Sequence, residues 1–284
     1  MLQKSEIESL VSLLDDPDPY VHGAVRRRLF ELGERAVPLL DQQKNSISDD
    51  SERAMITDII RHITYGNVEE DFMDLLESGL NSLEKLEDAV FILSRFENPT
   101  LRTSEYKRKL DRFAETVRDE IRYQPDQIKQ MRLLLKYVFN ELNFKGGTSD
   151  YYHADNAYLD RVIDRRRGLP ISLAFVVLFL ARRLNLPFRG VNMPIHFLLK
   201  FNGSKEELLI DPFDRGKTVT YNQCHYFLQQ NDVEPKPIHF QEVSEAQMLA
   251  RCIGNLMQSY KRAGQEQKTE DLKKLLYTLE MMCF

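Results

Sequence analysis

The sequence predicts a predominantly helical protein of the α+β class. Apolar side chains recur at helical spacing over most of residues 7–142 and again over 244–284. Between these stretches, 197–201 and 207–210 are typical of two short strands, because they flank the turn signal Asn202-Gly203-Ser204. We therefore expect many helices and one antiparallel hairpin.

The first 40 residues predict two short helices on either side of the segment D-D-P-D-P. Asp18 followed by Pro19 is a usual helix start, and Gly33 stands where a C-terminal cap belongs. The unit resembles a HEAT-type repeat, which needs neighbouring helices to bury its apolar face. Helices predicted at 54–63 and 68–76 would supply them, and the polar segment 42–51 is expected to be a loop.

The central part of the chain predicts a helical scaffold followed by one long apolar helix. Apolar stripes over 86–96, 106–121 and 125–142 indicate three scaffold helices, with a break at Asn98-Pro99. A further helix is expected from Gly168 to Leu184. The segment 244–284 predicts two helices that break near Ala263-Gly264, and this pair resembles a TPR-like hairpin.

Composition indicates an ordinary globular protein. The chain is 42% apolar and 29% charged, and its longest apolar run, 171–181, is shorter than the ~18 residues that span a bilayer. The first residues lack the apolar core of a signal peptide, so we expect a cytoplasmic location and no membrane partner.

Metal, cofactor and nucleic-acid functions are not favoured by the sequence. Cys224, Cys252 and Cys283 form no C-x-x-C pair, so disulfides and zinc are not expected, and no cofactor motif is present. The formal net charge of −5 disfavours nucleic-acid binding, although 26–28 and 165–167 are locally basic. We interpret those runs as solvated helix faces and ends.

Three segments resemble the SirB-like, transglutaminase-related family: Y-Y-H-A-D-N-A-Y-L-D-R-V-I-D-R-R-R-G-L-P-I-S-L-A at 151–174, P-I-H-F-L-L-K-F at 194–201 and I-D-P-F-D-R-G at 210–216. The resemblance covers about residues 83–216 and implies a papain/transglutaminase-like core, in which helices pack on a small antiparallel sheet beside a cleft. We divide the chain accordingly into a HEAT-like module (1–78), the core (79–241) and a TPR-like hairpin (242–284).

The resemblance also predicts where a catalytic triad would lie. Active members carry a nucleophilic cysteine in G-x-C at the start of the central helix, and Gly168-Leu169-Pro170 matches that motif. Pro170 then takes the place of the cysteine, while the histidine and aspartate of the family fall on His196 and Asp211. A helix N-terminus activates a thiol, but proline has no ionisable group, so the cysteine mechanism is lost.

Ser172 is the nearest alternative nucleophile. With His196 and Asp211 it would complete the residue types of an acyl-transfer triad. Two positions along a helix turn a side chain by roughly 200°, however, so Ser172 is expected to point away from the place of the cysteine. We interpret it as a cap or a small packing residue.

Further residues before the central helix are candidates for a ligand-binding cleft. Tyr152 and Asn156, with neighbours Tyr151, His153 and Asp155, precede a helix predicted at 157–166. Asn156 is alternatively the N-cap of that helix. Arg167 lies in the basic run before Gly168, which favours an anionic ligand or an acidic partner segment.

These observations predict a pseudoenzyme: a non-catalytic transglutaminase-like protein that acts as a protein-interaction or regulatory module with a protein or peptide partner. The residual pair His196 and Asp211 would serve recognition. The alternative is an active hydrolase or acyltransferase of the cysteine-protease-like class, which uses Ser172 or a water activated by His196 and Asp211.

Overall fold

The computed structural model describes residues 2–14, 16–204 and 206–284. The chain divides into two compact units, the first formed by Met1–Phe72 and Ile92–Leu101, the second by Met73–Phe91 and Arg102–Phe284. The boundaries predicted at residues 78 and 241 stay a prediction. Among the helices of the described residues, none combines the length and the apolar character that a bilayer crossing requires.

Five helices form the N-terminal part of the chain. They are α1 (Leu2–Val11), α2 (Pro19–Leu32), α3 (Val37–Ser46), α4 (Asp50–Glu77) and α5 (Leu83–Arg95). The predicted start of α2 is confirmed, since the Asp18 side chain accepts a hydrogen bond from the Tyr20 amide and Pro19 is the first helical residue. The predicted end is confirmed too, because Gly33 caps the helix with a φ of 57°.

Two predictions for this region are wrong. The segments 54–63 and 68–76 are parts of the single helix α4, which continues through Gly66. A glycine inside a helix costs about 1 kcal/mol, and burial of Ile63, Val68 and Phe72 on the same helix offsets that cost. Most of the predicted loop 42–51 is also helical: α3 continues to Ser46, and α4 begins at Asp50, where Asp49 caps the helix by accepting hydrogen bonds from two amides of its first turn.

The remaining helices of the chain include one long apolar helix. They are α6 (Thr103–Arg122), α7 (Gln127–Lys136) with the π-helical turn Tyr137–Glu141, α8 (Leu159–Arg165), α9 (Pro170–Arg183), α10 (Tyr221–Gln230), α11 (Glu245–Arg262) and α12 (Glu266–Cys283). Every residue of α9 from Pro170 to Ala181 is buried. This helix contacts α6, α8 and α11, so it forms the centre of the second unit.

The sheet is larger than the predicted hairpin. Strands β1 (Lys145–Gly146) and β2 (Arg167–Gly168) form a short parallel pair. The predicted hairpin is confirmed as β4 (Leu198–Asn202) and β5 (Glu207–Asp211), and β3 (Phe188–Val191) and β6 (Lys217–Val219) extend it to four antiparallel strands in the order β3-β4-β5-β6. The sequence did not indicate β6, since a three-residue strand with two exposed side chains shows no hydrophobic alternation.

The two C-terminal helices break where predicted. Gly264 lies between α11 and α12 with a φ of 69°, and the helices pack against each other. A buried contact of 2.7 Å joins the hydroxyl of Tyr260 on α11 to that of Tyr158 before α8. This hairpin therefore belongs to the same compact unit as the sheet, and the fold is α+β and predominantly helical, as predicted.

Candidate functional site

A cavity of about 720 Å³ opens beside the four-stranded sheet. Its walls come from the sheet, from α10 and α11, and from the tyrosines at 151 and 152. Most of the lining is apolar, and it includes Met193, Ile195, Leu198, Phe213, Val219 and Phe227. A mostly apolar concavity with a few polar groups is the usual form of a ligand site.

His196 and Asp211 meet in the wall of this cavity. Nε2 of His196 lies 2.9 Å from Oδ1 of Asp211, and both side chains are more than four-fifths buried, at 15% and 19% exposure. The imidazole N–H does not point along this line, so the contact is a close polar pair without an aligned hydrogen bond. The ring also packs near Phe213 and Phe227, with centroids 6.2 and 5.8 Å away.

The Asp211 carboxylate is held by the turn that follows β5. Its Oδ1 accepts hydrogen bonds from the amides of Phe213 (2.8 Å) and Asp214 (3.1 Å). Burial by itself raises the pKa of Asp211, but the interactions with His196 and with these two amides outweigh burial and lower the pKa below its ordinary value. Asp211 is therefore ionised at neutral pH, and its charge is compensated inside the protein.

A strained turn positions His196. The preceding residue, Ile195, has a φ of 67°, a left-handed conformation that is unusual for a β-branched side chain. The His196 amide closes the turn by donating to the Met193 carbonyl at 3.2 Å. Such strain costs on the order of 1–3 kcal/mol and persists only where the surrounding structure imposes it.

Pro170 and Ser172 lie in the packed interior. Pro170 is the first residue of α9 and is buried, and it is not among the residues that line the cavity. Ser172 is 0% exposed, and its Oγ donates to the carbonyls of Asn156 (2.6 Å) and Leu169 (3.1 Å). The hydroxyl is thus committed to the backbone at the start of α9.

The other predicted cleft residues do not all line the cavity. Tyr152 lines the cavity, and the guanidinium carbon of Arg262 lies 3.5 Å from the centre of its ring. Asn156 is buried in the 3-10 turn Ala154–Asn156, where its amide donates to the Asp150 carbonyl at 2.6 Å. Arg167 is exposed on β2 and lies outside the cavity lining.

The predicted helix 157–166 and its cap need correction. Helix α8 spans Leu159–Arg165 and is preceded by Tyr158, which makes no side-chain cap. Asn156 is therefore not the N-cap. Its side-chain amide donates a hydrogen bond to the Asp150 carbonyl in the preceding loop instead of bonding the first turn of the helix.

Several lining residues were missed by the sequence reasoning. Helix α11 contributes Arg251, Asn255 and Gln258, whose i, i+4, i+7 spacing places them on one face. That polar stripe on an otherwise amphipathic helix is the signal that would have identified them. Cys224 on α10 is also part of the lining, and burial together with the charge of Asp211 raises its pKa to about 11.

No metal centre is evident in the described part of the chain. Residues 2–14, 16–204 and 206–284 contain no group of three or more His, Cys, Asp or Glu side chains arranged to hold a metal ion.

A helical shell on a small antiparallel sheet, with a His and an Asp meeting in a cleft, defines a protein of the papain/transglutaminase-like class. The chain belongs to the transglutaminase-like superfamily, whose family model matches residues 104–254, more than half of its length. Its relatives include SirB1 and UPF0162 proteins, consistent with a SirB-like, transglutaminase-related family.

Three relatives illustrate this placement. F-box only protein 21 of Mus musculus is 35% identical over 148 residues, which cover 49% of this chain and 23% of that protein. A UPF0162 protein of Vibrio cholerae is 26% identical over 215 residues, or 74% of this chain and 75% of the relative. Protein SirB1 of Salmonella typhimurium is 28% identical over 165 residues, or 58% and 61%. The chain thus spans less than a quarter of the length of F-box only protein 21, and no solved structure matches it.

Proposed function

We propose that this chain is a non-catalytic, peptide-binding member of the superfamily, a pseudoenzyme whose cleft recognises a partner without forming an acyl-enzyme. One observation carries the proposal: among the described residues, no hydroxyl or thiol forms a hydrogen bond with the ring of His196. A covalent mechanism of this class needs a nucleophile within hydrogen-bonding reach of its base. The pair His196 and Asp211 then serves to bind and orient a ligand.

The three candidate nucleophiles each support this interpretation. Pro170, at the position of the family's cysteine, has nothing to deprotonate. The Ser172 hydroxyl is fully buried and bonded to two carbonyls. Cys224 lies in the cavity wall, but a pKa of about 11 keeps its thiol protonated at neutral pH.

The lining of the cavity supports a peptide as the ligand. The rings of Tyr151 and Phe213 meet edge to face at 5.8 Å, and with Phe227 they give the cavity an aromatic side that suits an apolar side chain. Side-chain amides at Gln223 and Asn255 can donate to and accept from a peptide backbone. The likeness to F-box only protein 21 adds support for a role in protein interaction.

The helical modules on either side fit the same role. We propose that the HEAT-like helices at the N-terminus and the TPR-like pair α11 and α12 provide further protein-binding surfaces, in a protein that works in the cytoplasm. The position of α11 supports this for the C-terminal pair, since α11 forms one wall of the cavity.

Affinity capture with matched variants tests the proposal. The immobilised full chain is incubated with cell lysate, and bound proteins are quantified for the unmodified chain, for His196→Ala and for His225→Ala. His225 is exposed on α10 outside the cavity lining, so it controls for the loss of an imidazole. We expect His196→Ala to lower specific capture about tenfold and His225→Ala to leave it unchanged. Equal capture by all three proteins would contradict the proposal.

The 2.9 Å contact between His196 and Asp211 favours one alternative, a hydrolase in which this pair activates water. A panel of amide and ester substrates distinguishes the routes. Turnover lost in His196→Ala and kept in Ser172→Ala would establish the water route, and turnover lost in both variants would establish an acyl-serine route. Activity that survives both substitutions rules out both routes, and we expect no turnover at all.

A further inference from the structure

Arg251 brings a positive charge to the cavity without a carboxylate beside it. Its Nη1 donates to the side-chain oxygen of Asn192 at 3.2 Å, and no Asp or Glu of the described residues forms an ion pair with it. Burial lowers the pKa of Arg251, and the neighbouring Tyr151 offsets only part of this effect. A guanidinium withdrawn from water without a counter-ion is costly, so this position favours a bound anion.

Other partly buried arginines of the second unit are compensated. Arg183, at 10% exposure, pairs with Glu87 at 2.6 Å and with Asp111 at 2.7 Å. The Arg166 guanidinium lies over the rings of Phe113 and Phe144, at 4.7 and 4.6 Å from their centres, and the nearby carboxylate of Asp164 favours its charge. Arg251 differs from both, because its charge faces an open cavity.

The negative charge of the cavity does not compensate Arg251. Asp211 is engaged by His196 and by two backbone amides, and the influences on Arg251 are burial and Tyr151. The cavity is therefore polarised, with a cation beside Tyr151 at one place and a carboxylate held by His196 at another. A ligand anion is favoured at Arg251 and disfavoured at Asp211.

Apolar surface continues from Arg251 towards His196. Tyr151, the neighbour of Arg251, stacks edge to face on Phe213, which in turn packs near His196. Met193 and Phe227 extend this surface. A ligand that joins a carboxylate to a large apolar group would satisfy both features at once.

We infer that the cavity binds a peptide segment in which a carboxylate adjoins a large apolar side chain, with the carboxylate on Arg251 and the apolar group against Phe213 and Phe227. The inference rests on the proposed peptide-binding function and specifies its ligand. The amides of Asn255 and Gln258, on the same face of α11 as Arg251, also line the cavity and can exchange hydrogen bonds with a peptide backbone. The carboxylate is either the end of a chain or an acidic side chain.

Three pools of acetylated octapeptides, randomised at four positions, test this inference on the immobilised full chain. The first pool has a free C-terminal carboxylate and no acidic residue. The second is amidated and carries one fixed glutamate, and the third is amidated without acidic residues. Retained peptides are identified by mass spectrometry. We expect the first or the second pool to be retained about tenfold more than the third, with large apolar residues enriched beside the carboxylate.

Variants on α11 locate the effect. Arg251→Gln should abolish the preference for carboxylate pools, and Arg251→Lys should keep part of it because the charge remains. Lys261→Gln removes an exposed cation from the same helix and should change nothing. Melting temperatures check that the variants fold. The comparison among the pools uses the unmodified chain, so it decides the question even where a variant does not fold.

Two outcomes overturn the inference. They are retention of the third, carboxylate-free pool equal to that of both carboxylate-bearing pools, and a preference for carboxylates that Arg251→Gln leaves intact. Failure of the inference is distinct from failure of the proposed function. If the chain captures proteins through His196 but retains neither carboxylate-bearing pool, it binds peptides of another kind and only the inference fails. If it shows neither His196-dependent capture nor peptide retention, the peptide-binding proposal itself fails.

Discussion

At the residue scale, Pro170 suits its position at the start of α9, and our proposal that the chain is non-catalytic depends in part on it. Proline has no amide N–H, and the first residue of a helix does not need one. Pro170 therefore begins α9 without the loss of a hydrogen bond, and it is buried in the interior. The same ring has no group that can be deprotonated. We propose that Pro170 takes the place of the family's cysteine, so that the fold is kept at this position and the cysteine chemistry is not.

Asp211 predicts a pH dependence of stability. Because its pKa is lower in the folded chain than in the unfolded one, its ionised form stabilises the fold above about pH 4, and this contribution is lost as the pH falls through the lowered pKa. Asp211→Asn should reduce the free energy of unfolding by about 1–2 kcal/mol at pH 7, and the difference should shrink below pH 4. Urea unfolding at several pH values measures both effects.

A neighbouring carboxylate provides the control for this prediction. Asp214 is exposed, and its side chain pairs with Lys217 on the surface at 2.8 Å, so Asp214→Asn should change stability by less than about 0.5 kcal/mol. A difference between Asp211→Asn and the unmodified chain that is the same at pH 7 and pH 3 would show that the ionised carboxylate is not its cause.

At the element scale, the C-terminal end of α9 is anchored by a buried ion cluster. Glu87 on α5 is 1% exposed and accepts from Arg182 at 3.0 Å and from Arg183 at 2.6 and 2.8 Å. Cations at this end also favour the helix dipole. Because α9 is buried from Pro170 to Ala181, this cluster helps to hold the helix in the interior of the second unit.

Removing the charge of Glu87 should destabilise the fold strongly. Glu87→Gln leaves the buried guanidinium of Arg183 with only the half-exposed Asp111, and breaking one partner of a buried pair costs about 3–5 kcal/mol. Asp111→Asn, which affects the exposed side of the same cluster, should cost less than about 1 kcal/mol. Chemical denaturation of both variants measures the difference, and equal losses would refute the assigned role of Glu87.

At the scale of the whole molecule, the cavity is assembled from distant parts of the chain. Tyr151 precedes the central helix, His196 and Asp211 belong to the sheet region, and Arg251 lies on the C-terminal hairpin. The 2.7 Å contact between the hydroxyls of Tyr158 and Tyr260 helps to join that hairpin to the core. The hairpin is therefore part of the site as well as a candidate repeat module.

The reactivity of the three cysteines measures how deeply each thiol is buried in the folded chain. Burial raises the pKa of Cys252 to about 12 and, with the charge of Asp211, that of Cys224 to about 11, whereas Cys283 is partly exposed. At pH 8 about one Cys224 thiol in 10³ is ionised. Iodoacetamide should alkylate Cys283 first, then Cys224, and Cys252 last, as followed by peptide mass spectrometry.

Unfolding provides the reference for this order. In concentrated urea all three thiols should react at similar rates, because burial no longer distinguishes them. Rapid alkylation of Cys224 in the folded chain would contradict the prediction and would identify a reactive thiol in the wall of the cavity that His196 also lines.

The sequence by itself determined the features that depend on near neighbours. Periodicity and caps act within about four residues, so the start of α2 at Asp18-Pro19, the hairpin around Gly203 and the break at Gly264 were predictable. The same local reasoning failed at 42–51, because composition indicated a loop where Asp49 caps a helix. The motif alone also led to our proposal that Pro170 takes the place of the nucleophile.

Only the tertiary structure decided which side chains share the cavity. Ser172 is withdrawn into the core by the carbonyl of Asn156, sixteen residues earlier, and Arg251 reaches the cavity through the docking of α11 on α9. Such contacts join residues far apart in sequence, and their energies come from burial and charge compensation in the packed state. No local pattern contains that information, which is why the sequence indicated the His and Asp of this site but not the arginine that we propose defines its ligand.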